Sequence, residues 1–189
     1  MKILLIDNYD SFTFNLFHIL EQYDNADVTV LRNDEVSLDI INDFNAIILS
    51  PGPGLPAESK ELMAATEMAI QSTKVLGVCL GHQAIAQVCG AGLKNLEAVC
   101  HGQSLNTNVL KIDDPVFKDI PKVFRSGRYH SWVIDPDTLP KELTVTAGDD
   151  QGNIMAIRHV ALPVWGIQFH PESILTEYGK ELVFNWLSA

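Results

Sequence analysis

Cys79 lies between two glycines in Gly77-Val78-Cys79-Leu80-Gly81, where an apolar run gives way to the small and apolar residues of a helical stretch. A strand that turns sharply into a helix lifts the central side chain clear of the sheet, and only small neighbours let the chain bend so tightly. The spacing therefore predicts a nucleophile elbow carrying sulfur, with the thiol presented rather than buried. Backbone N–H groups at the start of the following helix are unpaired and partly positive, so they favour a thiolate and can hold an oxyanion. A free thiol, with a pKa of about 8.5, is mostly protonated at neutral pH and needs an imidazole partner.

Six histidines are available, and His170 in Gly166-Ile167-Gln168-Phe169-His170-Pro171-Glu172-Ser173 closes a strand-like run where Pro171 stops the pairing. Glu172, two residues on, is close enough to orient one ring nitrogen while the other faces the sulfur, which is the logic of a triad. Cys79, His170 and Glu172 are thus candidates for nucleophile, base and orienter. Each also has a plainer reading: a core thiol, a satisfied strand-end histidine, and a carboxylate favoured by a helix dipole. Cys79 and His82 have a spacing that suggests a metal, but no second Cys/His pair completes a tetrahedral set, so no metal is expected. His101, His130 and His159 read as structural or partner-facing residues, and Asp149-Asp150 with Gly152 as a solvated turn.

These residues carry a resemblance. Gly77-Val78-Cys79-Leu80-Gly81-His82-Gln83, Phe169-His170-Pro171-Glu172-Ser173 and Ser50-Pro51-Gly52-Pro53-Gly54 together resemble the class I, triad-type glutamine amidotransferases. The likeness runs from Ile6-Asp7-Asn8-Tyr9-Asp10 to the last helical stretch, and points to the small subunits of anthranilate synthase and aminodeoxychorismate synthase. It implies that Cys79 attacks the side-chain amide of L-glutamine, releasing ammonia, while His170 moves protons. It places the oxyanion between the N–H groups of Gly52 and Leu80, and lines the glutamine pocket with Gly52, Pro53, Gly54, Gln83, Ser131 and Trp132. It implies no cofactor in this chain and a chorismate-binding large subunit as partner, in a hetero-oligomer.

Two positions depart from the family pattern. His130-Ser131-Trp132 stands where the family commonly has His-Ser-Leu, and His101-Gly102-Gln103 where it has His-Gly-Lys. Indole is bulkier than leucine and Gln103 carries no charge, so both departures fall on the pocket wall and the partner-facing surface. Gly54 favours the anthranilate branch over the folate branch, whose members often carry cysteine there, and a subunit shared by both pathways is the further alternative, since some members of this group serve both. Two other classes compete: a non-catalytic regulatory subunit, and a γ-glutamyl peptidase that releases its product to water without a partner.

The elements that must position these groups are readable too. Apolar runs at residues 3–6, 28–31, 46–49 and 75–78 alternate with amphipathic stretches at 11–23, 58–72 and 80–89. That rhythm predicts an α/β fold: an open, mostly parallel sheet with helices on both faces, like that of the class I glutamine amidotransferases. After residue 100 the pattern becomes strand-rich, with 143–147 and 154–157 joined by a hairpin, so the sheet is expected to be mixed. Residues 164–169 return a strand to the centre and 173–187 read as a closing helix. In such sheets ligands bind beyond the carboxyl ends of the strands, where all three motifs fall.

The chain of 189 residues, 47% hydrophobic, suits a single domain over 1–189. The acceptor of any ammonia is therefore expected on another polypeptide. A net charge of −11 argues against nucleic acid and anionic membranes as partners. Three cysteines cannot all pair with one another, the apolar run after Lys2 is too short for a signal peptide, and no segment has the length of a membrane span, which together predict a cytoplasmic enzyme.

Overall fold

The computed structural model describes residues 1–189 other than Lys60 and Ala98. Among the described residues, nine strands form one mixed sheet in the order β2-β1-β3-β4-β9-β8-β7-β5-β6. They are β1 (Lys2–Asp7), β2 (Asp27–Arg32), β3 (Ala46–Leu49), β4 (Lys74–Val78), β5 (Leu93–Val109), β6 (Val123–Ile134), β7 (Leu143–Gly148), β8 (Ile154–His159) and β9 (Val164–Ile167). The first four strands and β9 are parallel, and β8, β7, β5 and β6 continue the sheet antiparallel.

Strand alternation divides the apolar residues between two cores. Ile3 and Leu5 pack with Leu16 and Leu20 of α1 (Thr13–Leu20) and with Leu182 and Trp186 of α4 (Gly179–Ser188). Leu4 and Ile6 point the other way, onto Leu62 and Ala65 of α2 (Lys60–Ser72) and Ala84 and Ile85 of α3 (Leu80–Val88). Burial on both faces is why these short strands read as unbroken apolar runs. The expected open α/β sheet covered on both sides is what forms.

The closing helix is shorter than its sequence pattern. Residues 173–178 turn instead of winding: Ser173 Oγ accepts from Leu175 N at 3.2 Å, Thr176 Oγ1 donates to His170 O at 2.5 Å, and Glu177 N donates to Arg125 O at 2.9 Å. Side-chain oxygens here satisfy backbone groups that a helix would otherwise pair. Tyr178, with φ 59°, breaks the winding, and α4 starts at Gly179, where a Cβ would overlap Pro171 O. The expected hairpin at 148–153 is present, its turn held by Asp149 Oδ1, which accepts from Gln151 N and Asn153 N. Among the described residues no helix is long and apolar enough to cross a membrane.

Candidate active site

Cys79 is the single residue between β4 and α3, with φ 51° and ψ −98°. A side chain held in that sparsely allowed region costs about 1–3 kcal/mol and persists only where the surroundings impose it. The glycines do so here. A Cβ on Gly77 would lie 2.4 Å from Gly81 O, and one on Gly81 would lie 2.4 Å from Leu49 O, so strand, elbow and helix touch backbone to backbone. Cys79 N donates to Ile167 O at 2.8 Å, which ties the elbow to the end of β9.

The thiol is not presented to solvent as its turn predicts: Cys79 is only 6% exposed. Its cover is the end of β6, which reaches over the elbow and closes a hollow of about 150 Å³ lined by Gly52, Pro53, Gly54, Cys79, Leu80, Gln83, Tyr129, His130, Ser131 and Trp132. All six residues expected to contact glutamine therefore meet in one crevice with the sulfur. At roughly 30 Å³ per water, the space equals about five waters, the scale of one small amino acid. A larger hollow of about 310 Å³ beside Lys111, Asp114 and Arg158 contains neither Cys79 nor His170.

His170 and Glu172 meet at the same end of the sheet. Nδ1 and Glu172 Oε1 are 2.6 Å apart, with side chains only 3% and 0% exposed. His170 N donates to Gly127 O at 3.1 Å, and the ring stands edge-on to Tyr129, with centroids 4.8 Å apart. Burial opposes charge on this imidazole, but the Cys79 sulfur beside it and the Glu172 carboxylate outweigh burial and hold its pKa well above the ordinary 6.5. Among the described residues Nε2 has no hydrogen-bond partner of ordinary geometry, leaving that nitrogen to the sulfur and whatever binds next to it.

Leu80 opens α3, so its N–H has no acceptor within the helix. The facing loop is pinned from β1: Asn8 N donates to Ser50 Oγ at 2.9 Å, and Asn8 Nδ2 donates to Ser50 O at 2.8 Å. Gly52 packs so closely that a Cβ would lie 2.6 Å from Asn8 O and 2.8 Å from Leu80 Cδ2. The two segments expected to hold the oxyanion are in contact.

Sequence reasoning missed four residues here. Asn8 and Tyr129 carried no chemical signal. His130, read as structural or partner-facing, lines the hollow; burial, then Arg128 and His170, push its pKa down to about 4. Gln168, fully buried, donates through Nε2 to Cys79 Sγ at 3.5 Å, and its only sequence signal was an amide inside the apolar run 164–169. His82 lies beneath the elbow against Gly166, and burial lowers its pKa to about 3. Among the described residues no group of three or more His, Cys, Asp or Glu is placed to hold a metal ion.

Known proteins resemble this chain along nearly its whole length. The class-I glutamine amidotransferase family model matches residues 4–189. The aminodeoxychorismate synthase component 2 of Klebsiella aerogenes is 48% identical, over 98% of this chain and 99% of its own length. The aminodeoxychorismate/anthranilate synthase component 2 of Bacillus subtilis is 41% identical over 98% and 95%. The anthranilate synthase component 2 of Mycobacterium tuberculosis is 42% identical over 100% and 82%. A solved glutamine amidotransferase from Thermotoga maritima superposes with a TM-score of 0.78 at 17% identity, covering all of this chain and 81% of that one, a likeness of fold. The chain is a member of the class I glutamine amidotransferase family.

Proposed function

We propose that this chain is the glutaminase subunit of a chorismate-using synthase, hydrolysing L-glutamine at Cys79 and passing ammonia to a chorismate-binding large subunit. The observation that carries the reading is the convergence of Cys79, the 2.6 Å His170–Glu172 pair and the six pocket residues at one end of the sheet. In the proposed reaction the Cys79 thiolate attacks the amide carbon of glutamine, and the oxyanion is held by the N–H groups of Gly52 and Leu80. As the C–N bond breaks, the His170 imidazolium gives its proton to the departing nitrogen, releasing ammonia and leaving a glutamyl thioester. Water then adds to the thioester while His170 takes a proton, and the C–S bond breaks to give glutamate and free thiolate. Glu172 holds the ring in orientation and stabilises its charge.

Gly54 favours anthranilate synthase as the first reading; the 48% identity to the Klebsiella component 2 favours aminodeoxychorismate synthase as a second. The names of the three relatives divide between the two, and one is named for both. We assign the reaction to the cytoplasm and to a hetero-oligomer, without a cofactor in this subunit. The deciding experiment is co-purification with each large subunit, followed by glutaminase assays with and without it. Binding and stimulation by the anthranilate partner support the first reading, and by the folate-pathway partner alone the second. Turnover of γ-glutamyl peptides by the isolated chain, with neither partner stimulating it, would overturn both.

A further inference from the structure

Gln168 is 0% exposed, so each polar atom of its amide needs a partner inside the protein. Its Nε2 lies 3.5 Å from Cys79 Sγ, an ordinary length for an acceptor as large as sulfur. Its Oε1 lies 3.1 Å from Gln83 Nε2, which also lies 2.9 Å from Trp132 O. The chemistry of these partners fixes the direction of the chain without sight of a hydrogen. A backbone carbonyl only accepts, so the Gln83 atom facing Trp132 O must be its NH₂. That nitrogen has two hydrogens: one goes to Trp132 O, and the other requires an acceptor in Gln168. With Oε1 committed to Gln83, the end of Gln168 turned to the sulfur is necessarily its N–H donor.

Flipping Gln168 would set its NH₂ against that of Gln83, donor against donor, and flipping Gln83 would set its oxygen against Trp132 O, acceptor against acceptor. Gln168 N donates to Met155 O at 2.9 Å, anchoring the residue to the sheet beyond β9. An N–H aimed at sulfur stabilises a thiolate more than a thiol, since hydrogen bonds to charged acceptors are the stronger ones. We infer that Gln168 is a positioning residue for the nucleophile, donating its amide N–H to the Cys79 sulfur, and that Gln83 acts through it by locking the amide in that orientation. The inference rests on Cys79 being the nucleophile, as proposed above. It also refines the role of Gln83: both its N–H groups are engaged within the protein, so only Oε1 is left to meet a ligand, as an acceptor.

The test is the pH profile of Cys79 alkylation by iodoacetamide, followed on the Cys79 peptide by mass spectrometry in the full-length chain. A hydrogen bond to a charged group moves a protonation midpoint by about one to two pH units. Gln168→Leu is expected to raise the midpoint by about one unit. Gln168→Glu, which keeps volume and shape, should raise it further because a carboxylate then faces the sulfur. Gln83→Leu should move it in the same direction by freeing the Gln168 amide to rotate. A merely structural Gln168 would lower the melting temperature and leave the midpoint in place. If Gln168→Leu does not fold, Gln168→Glu carries the test, and an unmoved midpoint in a folded Gln168 variant overturns the inference. A shifted midpoint in a chain that hydrolyses no glutamine with either large subunit would sustain it while ending the functional reading; glutaminase activity with an unmoved midpoint would do the reverse.

Discussion

Acidification should destabilise this fold steeply, through two histidines that take no proton in its interior. His82 and His130 are held to pKa values of about 3 and about 4, mainly because burial penalises the charged ring. Unfolded, both return to about 6.5. Between pH 6.5 and 4 the unfolded chain therefore binds more protons, and stability falls as pH falls, by about 1.4 kcal/mol per pH unit for each ring. Lowering the pH from 6.5 to 5 costs about 2 kcal/mol per histidine, about 4 kcal/mol together, against a total that for most domains is about 5–15 kcal/mol. His170 does not offset this. Its pKa is raised, so its contribution is fully present below 6.5 and is lost only as pH rises through the folded value. Urea unfolding at half-unit steps from pH 7 to 5 measures the slope, and His82→Leu should halve it whatever it does to stability at pH 7. A slope that His82→Leu leaves unchanged would refute the assignment of acid lability to these rings.

The proposed chemistry gives sharper expectations for activity. Cys79→Ala should abolish glutamine-dependent synthesis by the complex and spare synthesis from ammonium salts; loss of both in one assay would contradict the division of labour. His170→Ala should reduce glutaminase kcat by roughly 10⁶ and Glu172→Ala by about 10⁴, following the ranking seen when a base or its orienter is removed from a triad, and equal losses in steady-state kinetics would argue that Glu172 does more than orient. Gly52→Ala should push the loop off Asn8 and Leu80, lowering kcat by about 10²–10³ through loss of one oxyanion donor; an unchanged kcat would place the oxyanion elsewhere.

Legibility in the sequence followed the range of the forces involved. The run Ala46–Leu49 matches its strand residue for residue, because a strand buried on both faces has no polar positions to blur its ends. The elbow was legible for the same kind of reason, since Gly77 packs on Gly81 and Gly81 on Leu49 too closely for either position to hold a larger side chain. The last helix was overestimated by six residues, where Ser173 and Thr176 bind backbone groups locally and hydroxyls in an amphipathic pattern do not announce which they will do. The burial of the thiol was missed because its cover, the Tyr129–Trp132 stretch, comes from about fifty residues away along the chain. Gln168 was invisible as chemistry because a single amide in an apolar run has no periodicity.

The place of β9 between β4 and β8 has a consequence for how the protein is made. Val75 pairs with Val164, and the amide of Cys79 itself bonds to Ile167, so the cradle of the proposed nucleophile is completed by a strand translated nearly ninety residues later. His170 and Glu172 follow that strand immediately. A ribosome that has released only the first 150 residues has therefore delivered Cys79 without His170 and Glu172, on a half-sheet whose central edge is still open. The proposed hydrolytic site is therefore completed in one step, when β9 inserts between β4 and β8 and carries His170 and Glu172 to Cys79.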